Sequence, residues 1–338
     1  MATLADVARR AGVSPATASR VINGSSKPVA DELRERVLRA VAELRYVPNA
    51  HAQLLARPQR SVVGVVVHDV SDPYFAEVTR GLQRVATDRG RLVIICNSYR
   101  DPERELEYVE MLRGQQVAAI VLAGSGYHDV DFTTRLTEKL AAYEATGGRV
   151  AVVGRHEHPG DAVMPANDLG GRLLGEELLR QGHRQIGVIA GPRVLTTITD
   201  RLTGLRAALS DAGVPLPEEH LRYADFDRDG GARAAATLLD ACPGLTALVA
   251  LNDSMAVGAL ALLRQRGVRV PEQVSVVGFD DMPVAADVTP ALTTVRLPLV
   301  ELGARAMTLA LDPSAGLSRV EVLPATLVRR ESLGPAPR

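Results

Sequence analysis

The stretch "SPATASRVING", Ser14–Gly24, reads as a short helix with a punctuated beginning and end. Ser14 is a good N-cap, and Pro15 sits at the first helical position, where its missing N–H costs nothing. The turn pair Asn23-Gly24 closes the segment. At about 100° per residue Ala18, Val21 and Ile22 share one face, while Ala16, Ser19, Arg20 and Asn23 point the other way. Upstream, Leu4, Val7, Ala8 and Ala11 recur at helical spacing, and Gly12 suits the left-handed residue that ends such a helix. Downstream, Leu33, Val37, Ala40, Val41 and Leu44 form the stripe of a third helix beginning near Ala30.

Two helices joined by a Gly-containing turn, with a third completing a small core, make a helix-turn-helix unit. Its second helix presents N-terminal residues to the major groove. Arg20 can donate two bonds to guanine O6 and N7, and Pro15 and Ala16 offer apolar contact to a thymine methyl. Thr17, Ser19, Asn23 and Lys27 are short polar or cationic groups suited to phosphates, which set register but not sequence. Charge follows the same division. Residues 1–60 carry ten Lys and Arg against five Asp and Glu, whereas the rest carries 29 against 35. A basic head on an acidic body points to a polyanion at the head alone.

"TLADVARRAGVSPATASRVING" and "VLRAVAELRYVPNAHAQLLA" closely resemble the start of the lactose-repressor (LacI/GalR) family of transcription regulators. The match runs through roughly the first 57 residues, and later segments extend it over nearly the whole chain. The resemblance implies that Pro15, Ala16 and Arg20 read bases, on a pseudo-palindrome with a central CG step. It implies double-stranded operator DNA as partner and a homodimeric repressor in the cytoplasm.

Between Pro48, which stops the third helix, and Pro58 lies room for about two helical turns, too few to be stable alone in water. Asn49 can cap them. The resemblance implies a hinge helix that folds on DNA, with Leu55 as the minor-groove wedge and Ala52 on the closely packed side. The domain expectation is a headpiece at 1–48, a hinge at 49–60 and a body at 61–338.

The body repeats strand and helix. "SVVGVVVHDV", "RLVIIC", "VAAIVLAG" and "RVAVVG" alternate with helical segments near 74–88, 102–113 and 134–145. "QIGVIAG", "LTALVAL" and "VSVVGF" continue the pattern, with helices near 170–180, 200–212, 230–240 and 254–265. Alternation of this kind means parallel sheets covered on both faces. The expected fold is an α/β body of two doubly wound parallel-sheet halves behind an all-α helix-turn-helix domain. The resemblance makes the body periplasmic-binding-protein-like. It implies a first half of about 61–160 and 292–321 and a second of about 161–291 and 322–330, with the last strand, near Leu323–Val328, in the second.

Ligands of such sheets bind outside the carboxyl ends of strands. There stand Asp72, Tyr74 and Phe75 in "SDPYF", Thr197 and Arg201 in "TTITDRLTGL", Phe226, Asn252 in "LNDS" and Asp280 in "GFDD". Carboxylates, an Arg fork and an amide bond hydroxyls, and an aromatic face covers an apolar one. A sugar or sugar-like effector suits that set. Leu195 occupies a position where the purine-responsive branch of the resembling family carries Arg, which argues against a purine. Taken singly, each residue also has a structural reading: Asp72 as a turn cap, Arg201 as a solvated helix residue, Phe226 as core. Asp253 and Asp281 read as caps or turn formers.

Other classes find little support. Asp6, Arg9 and Arg10 fall where the apolar stretch of an export signal would lie, which disfavours a solute-binding protein serving a transporter. An enzyme would have only Asp72 and Asp280 as acid–base candidates. "AGSGYHD" is not a nucleophile elbow, and neither a phosphate-binding Gly-rich loop nor a cofactor motif follows a strand. His156 and His158 lack further metal ligands and fall at the expected crossover between halves. Cys96 and Cys242 are expected to be buried thiols in a reducing compartment. No apolar run is long enough for a membrane, and the end "GPAPR" carries no heptad repeat, so a dimer is expected. The wedge expectation predicts that Leu55→Ala weakens binding to a specific site more than binding to random duplex. Equal losses in a gel-shift titration would remove Leu55 from that role.

Overall fold

The computed structural model describes residues 2–23, 29–46, 62–312 and 318–337. The chain divides into two compact units, Met1–Arg60 and Ser61–Arg338.

In the first unit α1 (Leu4–Ala11), α2 (Pro15–Asn23) and α3 (Asp31–Glu43) enclose Val7, Ala8, Ala11, Ala18, Val37 and Ala40. A reciprocal capping box between Thr3 and Asp6 opens α1, and Gly12 ends it at φ +64°. That left-handed turn is open to glycine at no steric cost. Ser14 Oγ accepts from Thr17 N at 3.1 Å and so satisfies one orphan donor at the start of α2.

The second unit holds two lobes. In the first, β1 (Val62–Val67), β2 (Leu92–Asn97), β3 (Ala119–Ala123), β4 (Val150–Val153), β5 (Asp161–Pro165) and β11 (Val320–Leu323) form one parallel sheet. Its order is β11-β5-β4-β3-β1-β2. The helices α4 (Pro73–Asp88), α5 (Pro102–Gly114), α6 (Val130–Glu144) and α12 (Leu299–Leu311) belong to this lobe. The second lobe has β6 (Ile186–Ala190), β7 (Leu221–Tyr223), β8 (Ala247–Ala250) and β9 (Ser275–Val277) in the order β7-β6-β8-β9. Its helices are α7 (Asn167–Arg180), α8 (Thr196–Asp211), α9 (Arg228–Ala241), α10 (Asp253–Gln265) and the short α11 (Val284–Asp287). An antiparallel pair, β10 (Thr294–Arg296) and β12 (Thr326–Val328), packs against α7. The fully buried β3, β4, β6 and β8, and β1 beyond its half-buried first residue Val62, are the continuous apolar runs expected of strands covered on both faces.

The chain passes between lobes three times, at 165–167, 296–299 and 323–326. Six expectations need correction. Residues 161–165 stay in the first lobe because β5 pairs with both β4 and β11. Residues 294–296 stay in the second because β10 pairs with β12. Leu323 belongs to the first lobe through its register with Pro165. His156 and His158 lie in the β4–β5 loop rather than at a crossover. Cys96 and Cys242 are half-buried, not buried. Helices α6 and α8 begin four residues earlier than their periodicity suggests. Their first turns are rich in β-branched residues with modest helix propensity, and packing overrides it; Asp129 Oδ1 also caps α6 through Phe132 N.

Helix pairs in this unit meet through glycines. A Cβ on Gly171 of α7 would lie 2.0 Å from Arg201 O, and one on Gly204 of α8 would lie 1.8 Å from Asp168 O. Gly81 with Gly303 brings α4 and α12 together in the same way, and Gly231 with Gly258 does so for α9 and α10. The obstructing atoms are backbone, so a side chain there must push the helices apart. Gly171→Ala is predicted to cost about 1–3 kcal/mol, read as a Tm lowered by several degrees; an unchanged Tm would show that α7 and α8 separate freely.

Candidate functional site

In the first unit Pro15, Ala16 and Arg20 are exposed on α2, while Thr17 and Ser19 are half-buried. The Thr17 hydroxyl shares a 2.9 Å hydrogen bond with Ser14 Oγ, so part of its capacity goes to the cap. Asn23 closes α2; its side chain, with Lys27, Asn49, Ala52 and Leu55, lies outside the described residues. The core-facing Ala18 is fully buried on the opposite side of α2.

In the second unit Asp72, Tyr74, Phe75, Thr197, Arg201, Phe226, Asn252 and Asp280 all line one cleft between the lobes. Each follows the carboxyl end of a strand: β1 for the first three, β6 for Thr197 and Arg201, then β7, β8 and β9. Dipoles and loops converge at that end of a parallel sheet. The strand-end rule extends to residues the sequence reading passed over: His68 after β1, Arg100 after β2 and Ser125 after β3 also line the cleft.

The charged residues are arranged in pairs. Arg201 is 2% exposed. Its Nε donates to Asn167 Oδ1 at 2.9 Å, its Nη1 to Leu251 O and its Nη2 to Asp280 Oδ1 at 2.7 Å. Its Cζ stacks 3.9 Å from the Phe279 ring centroid. It is therefore a buried, bonded group rather than a solvated helix residue. Burial pushes the Asp280 carboxyl up to about 7, against the pull of Arg201. Asp280 has φ +109°, a strained setting that aims its side chain at Arg201.

Asp72 caps α4 by accepting from Tyr74 N at 3.0 Å, and its other oxygen accepts from Arg100 Nη2 at 3.3 Å. Burial holds this carboxyl above its usual range. Asn252 caps α10 through Met255 N at 2.8 Å, which leaves its NH2 group for a ligand. Asp253 is more than a cap: it is fully buried and accepts from Met282 N and Thr294 Oγ1. Asp281 ties Arg296 and Arg330 to the β9 loop. Ser125 Oγ donates to Thr197 Oγ1 across the cleft. Beside it, Arg155 pairs with Asp200 and His128 shares a 2.8 Å hydrogen bond with Thr199, fastening the lobes on one side.

Apolar surface completes the lining. Phe226 is half-buried against Gly191, while Phe75 is buried in edge-to-face contact with Tyr74 at 5.0 Å. His68 lies between Phe75 and Tyr127, both at 5.6 Å. Its Nε2 is 3.8 Å from Glu105 Oε2, which has no hydrogen-bond partner among the described residues. Burial pushes His68 down to about 3 and Glu105 up to about 8, so both are neutral near pH 7. Among the described residues no group of three His, Cys, Asp or Glu is placed to hold a metal ion, and no helix is long and apolar enough to cross a membrane.

A three-helix unit of helix-turn-helix type, joined to a two-lobed body with a lined cleft, defines a DNA-binding regulator of the periplasmic-binding-protein-like class. Residues 3–49 match the family described as "Bacterial regulatory proteins, lacI family", and residues 176–333 match the "Periplasmic binding protein-like domain". The chain is 36% identical over 336 residues to the HTH-type transcriptional regulator GalR of Salmonella typhimurium, covering 98% of this chain and 96% of that protein. It is 35% identical over 342 residues to the HTH-type transcriptional repressor PurR of Edwardsiella ictaluri, covering 100% and 98%. Among solved structures it is similar to the lac repressor dimer bound to operator and the anti-inducer ONPF, with TM-score 0.86, 29% identity and 98% of each chain covered. It is also similar to a CelR–cellobiose complex, with TM-score 0.71, 34% identity and 98% and 100% covered. The chain belongs to the LacI family of transcription regulators. These relatives are regulators, not enzymes.

The neutral pair beside the cleft generates a pH prediction. A carboxyl raised from 4.5 to about 8 keeps its proton in the folded chain where the unfolded chain has released it. Its contribution to stability is full below pH 4.5 and is lost as pH rises through 8. His68 acts with the opposite sign and at lower pH, its contribution falling away as pH drops from 6.5 towards 3. Glu105→Gln removes the first effect and leaves the second, so the Tm advantage of the variant should widen from about pH 5 to pH 8. A constant difference across that range would mean that Glu105 is not held neutral.

Proposed function

We propose that this chain is a cytoplasmic, homodimeric repressor whose affinity for a pseudo-palindromic operator is controlled by a small carbohydrate-like effector in the interlobe cleft. The observation that carries this reading is the convergence of a carboxylate–guanidinium pair, an amide and an aromatic face on one cleft whose walls come from both lobes. A ligand touching both walls favours one angle between the lobes. The same angle must then alter DNA affinity, since a ligand shifts an equilibrium only by its different affinity for the two states. The cellobiose-bound relative supports a sugar-like ligand.

The dimer expectation is supported by the edge of the first lobe. Strand β2 ends the sheet, yet Leu92 and Ile94 are 71% and 42% exposed on it. An open apolar edge strand is a pairing hazard unless another chain covers it, and Tyr99 and the nearby α5 residue Met111 are also exposed. A dimer carries two basic heads, as a pseudo-palindrome requires.

The test is selection of binding sites from random duplex DNA. The full chain should enrich a pseudo-palindrome, and Arg20→Ala should relax choice at one base position in each half-site, with about 1–3 kcal/mol of discrimination lost there. Enrichment of unsymmetrical sites, or an unchanged preference in the variant, would contradict the proposal.

A further inference from the structure

Two guanidinium groups line the cleft, and they are committed differently. Arg201 has its Nε and both terminal nitrogens bonded to Asn167, Leu251 and Asp280. It is part of the wall. Arg100 stands opposite, in the turn after β2, where Tyr99 and Arg100 both adopt left-handed φ of +55° and +59°. That turn is held by Tyr99 N, which donates to His68 O at 2.6 Å. A non-glycine residue kept in this region marks a conformation imposed by its surroundings.

The partners of Arg100 are weak. Its Nη2 reaches Asp72 Oδ2 at 3.3 Å, and its Nε is buried with no hydrogen-bond partner among the described residues. Its Cζ lies 5.4 Å from the centroid of Phe226, on the opposite lobe. The guanidinium thus covers the aromatic face that a ligand would use. A ligand that takes Phe226 must displace it, and a neutral ligand returns less to a cation than it removes. A ligand bearing a carboxylate or phosphate returns a charge-assisted, two-pronged hydrogen bond.

We propose that Arg100 is a specificity-determining residue of the cleft, which selects a small hydroxylated effector carrying an anionic group. This rests on the effector reading above and names the class of that effector. The orphan Nε and the long bond to Asp72 become a fork on a carboxylate or phosphate oxygen pair, while Arg201, Asn252 and Asp280 face the hydroxyls. The two nearby carboxyls oppose an anion less than full charges would, because burial holds both above their usual range.

The experiment is titration calorimetry of the full chain with glucose, glucose 6-phosphate, gluconate and glucuronate, and with the galactose counterparts. One or more of the acids or phosphates should bind at least about tenfold more tightly than its neutral parent. Added NaCl should weaken the anion and leave the neutral sugar unaffected. The phosphate and carboxylate arms distinguish the two sources of the charge. Arg100→Gln should remove the preference, and Arg100→Lys, which keeps the charge but not the fork, should keep part of it. The salt series on the unaltered chain tests the proposal even if a variant does not fold. A neutral sugar that binds as tightly as its acids, with Arg100→Gln unchanged, overturns the anion inference and leaves the sugar reading standing. An acid that binds the Gln variant equally overturns it too. No binding across the panel overturns both.

Discussion

The body is organised around the buried pair of Arg201 and Asp280. Asp280 stands after β9 and Arg201 one turn into α8; the same guanidinium holds Asn167, at the start of α7, and the carbonyl that follows β8. One side chain thereby joins four segments of the second lobe. Removing Asp280 would leave the buried Arg201 guanidinium without its carboxylate, which is far more costly than the pair is stabilising. Its placement depends in turn on the glycine contact between α7 and α8, since Gly171 packs directly on the carbonyl of Arg201. The wall of the cleft is thus a consequence of how closely two helices approach.

Much of this was legible in the sequence. Helix caps, the left-handed Gly12 and the three apolar stripes define the headpiece because each residue acts locally. Long β-branched runs define the buried strands for the same reason. The cleft residues are legible from residue chemistry and position at strand ends, together with their match to effector positions of the resembling family. What the sequence did not disclose is where each group's bonding capacity goes. Asp72 and Asn252 both cap helices while lining the cleft, and Thr197 bonds Ser125. Arg100 has no pattern to separate it from other loop arginines; only the fold brings it over Phe226.

The short strands were hidden for a different reason. β5 and β11 carry mixed sequences, "DAVMP" and "VEVL", whose strand state comes from pairing, β5 with β4 and β11, and β11 with a segment far away in the chain. The lobe boundaries follow from those pairings, so they could not be read from local composition. Glycines such as Gly171 and Gly204 look like weak points within helices, yet they allow the closest helix contacts in the second lobe. Propensity speaks for isolated segments, and here tertiary contact outweighs it.

The proposed mechanism joins two sites that lie in separate compact units, and its central claim is that they are thermodynamically coupled. The most direct test is to measure the affinity of a cleft ligand for the full chain twice, free and saturated with its selected DNA site. The account predicts two different affinities, by a factor of about 5 to 150, and the ligand must change DNA affinity by that same factor. Equal ligand affinities in the two states would show that the cleft does not control the headpiece, and would contradict the account.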